Sequence, residues 1–228
     1  MATCNTQPHP VARQPETRVP ILEFKNFICE RDGQALFRPL NFSLSPGDLV
    51  QISGPNGAGK TTFLRAVCGL FDDWSGELFW QGQATRTPGY EMCSNLLYLG
   101  HQPGVKKSLT AAENLHWFFG SHGRAFPGQV SEALAQVGLS GYEDVFCHQM
   151  SAGQMRRVAL ARLYVSSAAI WILDEPFTAI DRAGVRNLET LIQRHTSKGG
   201  LVILTTHQPL ALDGVRLVEL TPQTEMPE

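Results

Sequence analysis

Gly54-Pro55-Asn56-Gly57-Ala58-Gly59-Lys60-Thr61, followed by Thr62, is the stretch on which the reading of this chain turns. It fits G-x-x-x-x-G-K-[ST], a loop whose glycines let backbone amides turn inward around phosphate oxygens. Ahead of it, Leu49 to Ser53 is a short apolar run entered through the turn Pro46-Gly47-Asp48, which predicts a buried strand. Behind it, Lys60 to Leu70 places Phe63, Leu64, Val67 and Leu70 at helical spacing. A helix that starts at Lys60 aims its positive end at a phosphate. In that setting Lys60 reaches the β- and γ-phosphates, and the Thr61 hydroxyl ligates Mg²⁺. Strand, loop and helix in sequence argue against an ordinary glycine-rich turn. They do not separate a small-molecule kinase from a GTPase or an ATPase.

The second chemical signal is Ala168-Ala-Ile-Trp-Ile-Leu-Asp-Glu-Pro176. A buried apolar strand ends in two adjacent carboxylates. Asp174 at the strand end can hold Mg²⁺ through water, and Glu175 can polarise an attacking water as general base. The structural alternative is a helix cap. A phosphate loop upstream favours the catalytic role.

The rest of the chain sets the frame. Its 228 residues suit one α/β domain or a domain with a small insert. At 43% apolar and 18% charged residues it has the means for a real core. A net charge of −2 gives no global basic field, so nucleic acid is not an expected partner. The five cysteines, at 4, 29, 68, 93 and 147, form no CxxC pair and read as free thiols. No stretch approaches the ~20 apolar residues of a membrane span. Residues 1–20 lack an apolar block and read as a mobile tail, not a secretory signal.

Coarse secondary structure follows from periodicity. Ile21 to Ile28, Leu36 to Leu44 and the hairpin-like Gly76 to Gln81 predict an antiparallel sheet near the N-terminus. Leu109 to Phe119 and Pro127 to Val137 read as helices, broken by Gly120, Gly123 and Gly138. Ser151 to Val165 is a basic, apolar helix. Ala168 to Leu173 and Leu201 to Thr205 are buried strands on either side of a helix from Asp181 to His195. Such alternation implies a parallel sheet.

Between the two nucleotide motifs stands Met150-Ser-Ala-Gly-Gln-Met-Arg-Arg-Val-Ala-Leu-Ala-Arg162. With the loop at Gly54 and the carboxylates at Asp174 and Glu175, it resembles the ABC ATPase family, whose signature is usually LSGGQ. The resemblance covers about Ile21 to Leu220. It implies an α/β P-loop cassette with a mostly parallel core sheet, an N-terminal antiparallel β-subdomain and an inserted helical subdomain at about 104–166. Residues 221–228 form a C-terminal tail. The signature implies a second phosphate-binding helix end, built from Ser151, Ala152, Gly153 and Gln154. In the family it serves the γ-phosphate of a second subunit across an ATP-sandwich dimer. Ala152 replaces a glycine of the pattern, and the small methyl is expected to be tolerated. Thr178-Ala-Ile-Asp181 resembles the family's D-loop, which puts Asp181 at the dimer interface. His207 resembles the switch histidine that contacts the γ-phosphate.

Two places depart from the family. Tyr98-Leu-Gly-His-Gln102 stands where a glutamine loop is expected, and counting back from Leu109 lands on His101. Either His101 or Gln102 can approach Mg²⁺, with Gln102 slightly favoured as the harder oxygen donor. The adenine is usually stacked on an aromatic before the loop. Cys29-Glu-Arg31 occupies that stretch, and the Arg31 guanidinium can stack on the base. Phe37 is nearer but reads as core.

Gly100-His-Gln-Pro-Gly104, the Ser-Ala-Gly-Gln signature and Trp171 to Asp181 resemble one group within the family: the ATP-binding subunits of the cytochrome c maturation system, or haem exporter. That resemblance implies integral membrane subunits as partners and a peripheral place on the cytoplasmic face of an inner membrane. It implies ATP and Mg²⁺ as ligands, with hydrolysis coupled to haem export or to release of a haem-loaded chaperone. Direct haem binding is not expected, since there is no CxxCH and no obvious axial pair. Three other readings stay open: another importer or exporter subunit, a soluble ABC ATPase of repair or translation, and a non-hydrolysing binding module.

Overall fold

Two five-stranded sheets organise the described residues, one antiparallel and one parallel. A computed structural model describes residues 20–120 and 127–223. The expectation of an N-terminal mobile tail, Cys4, the break at Gly123 and the far C-terminal residues lie outside them.

The antiparallel sheet is centred on β1 (Leu22–Arg31). On one side β1 pairs with β3 (Leu40–Leu44) and, further along, with β2 (Gln34–Ala35). On the other it pairs with β5 (Trp74–Trp80), which turns back into β6 (Gln83–Thr85). The strand expected across Leu36 to Leu44 is therefore interrupted. Phe37 leaves the sheet and is fully buried, and Pro39 has no N–H to give a ladder.

The parallel sheet runs in the order β10 (Val215–Glu219), β4 (Leu49–Ser53), β9 (Leu201–Thr205), β8 (Ile170–Asp174), β7 (Leu96–Leu99). Its central strands are buried on both faces, and alternate side chains feed two cores. Val50, Ile52, Ile170, Ile172, Leu201 and Ile203 face α1 (Lys60–Val67) and the antiparallel sheet. Leu97, Leu99, Trp171, Leu173, Val202 and Leu204 lie with Leu160 and Leu163 of α5 (Ala152–Val165) and with Leu188 and Ile192 of α6 (Arg182–Ser197). The register pairs Ile52 with Thr205, Asp174 with Thr205, and Leu99 with Leu173. The C-terminal ends of four neighbouring strands thus stop at one level, where open α/β sheets build their sites.

Helix α1 is shorter than expected. It ends at Val67, and Leu70, expected on its apolar face, is 53% exposed. Gly69 adopts φ +69°, a left-handed turn that suits glycine, and an added Cβ would lie 2.7 Å from Pro88. A short helix α2 (Tyr90–Ser94) and the strands β7 and β10 were not expected from periodicity.

A third hydrophobic cluster joins α3 (Ala111–Gly120), α4 (Pro127–Gln136) and the core-facing residues of α5 through Leu115, Leu134, Cys147 and Val158. Thr110 and Glu113 form a reciprocal cap at the start of α3. Asn114, fully buried, accepts from the Lys106 N–H at 2.7 Å and donates to the carbonyls of Lys106 and Thr110. These bonds tie the 106–110 segment to the helix. The four cysteines among the described residues are free thiols. No helix among them is long and apolar enough to cross a membrane.

Candidate active site

A cavity of about 400 Å³ opens where β4, β8 and β9 end. Its walls bring together Arg31, Asn56, Gly57, Gly59, Lys60, Thr61, Thr62, His101, Asp174, Glu175, Thr178 and His207. Residues separated by up to 176 positions (207 − 31) therefore share one space.

The loop between β4 and α1 has the conformation its glycines permit. Gly54, Gly57 and Gly59 all have positive φ. At Gly54 an added Cβ would also stand 2.7 Å from the Leu220 carbonyl oxygen. Gly59 caps α1 without any side-chain hydrogen bond, which leaves first-turn N–H groups for a phosphate. Lys60 Nζ donates to the carbonyls of Gly54 (2.7 Å) and Pro55 (3.2 Å). Arg31, at the end of β1, lines the same cavity beside Leu36.

The carboxylate end of β8 is held by two hydroxyls. Thr61 Oγ1 donates to Asp174 Oδ2 at 2.8 Å, and Thr205 Oγ1 donates to Asp174 Oδ1 at 2.7 Å. The Thr205 hydroxyl also accepts from the Glu175 N–H at 3.0 Å. Asp174 is 2% exposed, so without these donors its carboxylate would be buried and unpaired. Glu175 has φ +51°, a costly conformation for a glutamate that the neighbouring bonds hold in place. Its Oε1 lies 3.4 Å from His207 Nε2, and His207 is well exposed. Burial, then the Asp174 carboxylate, pushes the Tyr98 phenol up to about 12.

Thr61 Oγ1 and Asp174 Oδ2 are hard oxygens of the kind Mg²⁺ takes, and so fit that ion. His101 lines the cavity, whereas Gln102, the slightly favoured ligand, is not among its lining residues. The signature residues Ser151 to Gln154 do not line it either. They form the N-terminus of α5, where Ser151 Oγ accepts from the Gln154 N–H and Gln154 Oε1 accepts from the Ser151 N–H. Gly153 leaves room for the Ala179 carbonyl, which an added Cβ would meet at 3.2 Å. Asp181 caps α6 by accepting from the Gly184 N–H at 2.7 Å.

A family model described as ABC transporter matches residues 37–178. The chain is 51% identical over 205 residues to the cytochrome c biogenesis ATP-binding export protein CcmA of Saccharophagus degradans, covering 86% of this chain and 91% of that one. To the protein of the same description from Escherichia coli (strain K12) it is 52% identical, over 88% of this chain and 97% of that one. The chain belongs to the ABC transporter family, among the cytochrome c biogenesis ATP-binding export proteins. The fold of this ABC ATPase is shared with a dimeric ATP-binding cassette in a post-hydrolysis state, bound to ADP and Pi. That match has a TM-score of 0.75 at 22% identity and covers 88% of this chain and 94% of that one. A putative ABC transporter ATP-binding protein from Pyrococcus furiosus matches with a TM-score of 0.75 at 24% identity, over 87% and 96%.

Three residues that hold the site or the loop beside it in this ABC ATPase were not singled out from sequence. Thr205 stood only as the end of a strand, although a polar residue closing the apolar run LVILT is a usable signal. Arg156 and Arg162 stood only as basic residues of a helix, yet they are 4% and 5% exposed. Thr205→Val, which keeps the shape, strips Asp174 of one donor and Glu175 of one acceptor. It is expected to cost about 1–3 kcal/mol and to lower the melting temperature by roughly 2–10 °C. Thr205→Ser, which keeps the hydroxyl, should lie between Val and the parent. A Val variant that melts with the parent contradicts this account.

Proposed function

We propose that this ABC ATPase powers a cytochrome c biogenesis complex, coupling ATP hydrolysis to haem export or to release of a haem-loaded chaperone. The observation that carries the hydrolytic part is the Glu175–His207 contact of 3.4 Å, in the cavity that also holds Lys60 and the Thr61–Asp174 pair. The relatives named above support the biological assignment.

In this reading the phosphates of ATP draw Lys60 away from the loop carbonyls and take the N–H groups of Gly57 to Thr62. Arg31 stacks on the base. Thr61 and Asp174 would hold Mg²⁺, with His101 or Gln102 beside it, and the ion would supply positive charge against the phosphates. Glu175 accepts the proton of the attacking water, and His207 keeps that carboxylate and the γ-phosphate aligned. Ser151, Ala152, Gly153 and Gln154 serve the ATP held by a second copy, with Asp181 at the seam. ATP then contributes to the dimer interface, and its hydrolysis weakens it. Residues 104–166 act as a lever toward integral membrane subunits, which hold the protein on the cytoplasmic face of the inner membrane.

The test is capture of this chain from detergent-solubilised membranes with its integral partners. Haem-handling membrane proteins are the expected companions. Reproducible recovery with a permease for another solute would remove the haem assignment and leave the ATPase untouched.

A further inference from the structure

Strands β7 and β8 are neighbours, and Leu99 pairs with Leu173 as the ladder ends. Beyond that pair Gly100 and His101 leave β7, while β8 runs one residue further to Asp174, paired with Thr205 of β9, before Glu175 leaves it. One side chain donates to the carbonyls of all four residues. Arg156 Nη1 donates to Gly100 O (2.7 Å) and His101 O (3.3 Å). Its Nη2 donates to Asp174 O (3.0 Å) and Glu175 O (2.7 Å).

Arg156 is 4% exposed, and its Nε is buried without a partner. Burial lowers its pKa, opposed by the nearby Asp174 and Glu175 carboxylates. An arginine so placed costs desolvation, and its planar fork is what spans two loops at once. A lysine has one nitrogen for four carbonyls. A glutamine has two protons and no charge.

Arg156 stands in the second turn of α5, the helix that begins at Ser151. Further along the helix, Arg162 donates to Pro103 O (3.3 Å) and Gly104 O (2.8 Å) and lies 4.7 Å over the Phe118 ring. The 100–104 segment is therefore fastened to α5 at two points, and the end of β8 at one. A shift of α5 along or about its axis must strain these bonds.

We infer that Arg156 is a positioning residue that couples the Ser151 end of α5 to the Glu175 backbone and to the 100–104 loop. When Ser151 engages phosphate held by a partner subunit, the guanidinium carries that displacement to the Glu175 carbonyl and sets its carboxylate. The inference rests on the dimeric reading above, in which the signature of one copy completes the site of the other.

The experiment uses the full chain with Arg156→Gln and Arg156→Lys, each alone and combined with Glu175→Gln. Turnover is measured against ATP. Binding is measured with a fluorescent N-methylanthraniloyl-ATP, and dimer formation by size exclusion with ATP. Arg156→Gln is expected to lower kcat at least about tenfold while KM and analogue affinity stay within about threefold. The Arg156→Gln/Glu175→Gln chain should still dimerise with ATP, as Glu175→Gln does. Arg156→Lys, with its charge retained, should recover part of the turnover.

An unchanged kcat overturns the proposal. So does a parallel loss of binding, dimer and melting temperature, which marks a purely structural arginine. If Arg156→Gln gives no folded protein, Arg156→Lys is judged by the same criteria. Failure of the underlying reading shows elsewhere: Glu175→Gln alone would then turn over normally or never dimerise, whatever the Arg156 variants do.

Discussion

Glu175→Gln is expected to slow ATP turnover by about a hundredfold or more while leaving ATP binding intact. The substitution keeps the shape of the side chain and removes its capacity to take a proton. The features that position this residue belong mainly to its backbone: the N–H bound to Thr205 and the carbonyl bound to Arg156. A glutamine can occupy the same φ of +51° under the same restraints, so the fold should not suffer. Nor does the phosphate loop bond to Glu175; Thr61 is bonded to Asp174 instead. The variant should therefore load ATP and accumulate as a dimer that separates slowly. Single-turnover hydrolysis and size exclusion in the presence of ATP read both effects. Turnover at the parent rate would mean that another group is the base.

Lys60→Ala should weaken ATP binding by about a hundredfold or more, close to 3 kcal/mol, with little change in melting temperature. Lys60 and Arg31 are the lysine or arginine side chains among the cavity's lining residues, and Arg31 is assigned to the base. Removing Lys60 leaves the triphosphate with backbone N–H groups, the helix end and the metal, but no side-chain cation that can follow the β- and γ-phosphates. Stability is little at stake, since the bonds lost are two partly solvated contacts from Nζ to Gly54 and Pro55 carbonyls. Equilibrium titration with a fluorescent ATP analogue gives the affinity, and a thermal melt gives the control. A variant that binds as tightly as the parent would show that the lysine is not a phosphate ligand.

The two predictions draw on features of different visibility. The strand Leu49–Ser53 and the strand Leu201–Thr205 appear at the boundaries their apolar runs suggest, because a strand buried on both faces is apolar along most of its length. The edge strand Val215–Glu219 did not announce itself. It is paired on one side only, and its exposed arginine and glutamate dilute the pattern. Helix α1 was read one turn too long because Leu70 kept the period, while Gly69, a glycine at a left-handed C-terminal turn, ended the helix. In the same way Pro39 broke a strand that alternation alone would have carried through.

What the sequence determined by itself was the kind of chemistry and the family. Glycines, a lysine and a threonine at fixed spacing form a local phosphate loop, and local spacing survives in one dimension. The order of the motifs then carried the ABC assignment, which the relatives confirm. What only the tertiary structure decided was which polar groups are shared. Thr205 serves Asp174 and Glu175 because a parallel register sets Thr205 beside Asp174. Arg156 serves four carbonyls because β7 and β8 end within one residue of each other under α5. His101, and not Gln102, is among the cavity's lining residues. Each depends on chain segments far apart in sequence stopping at the same height, and no spacing along the chain encodes that height.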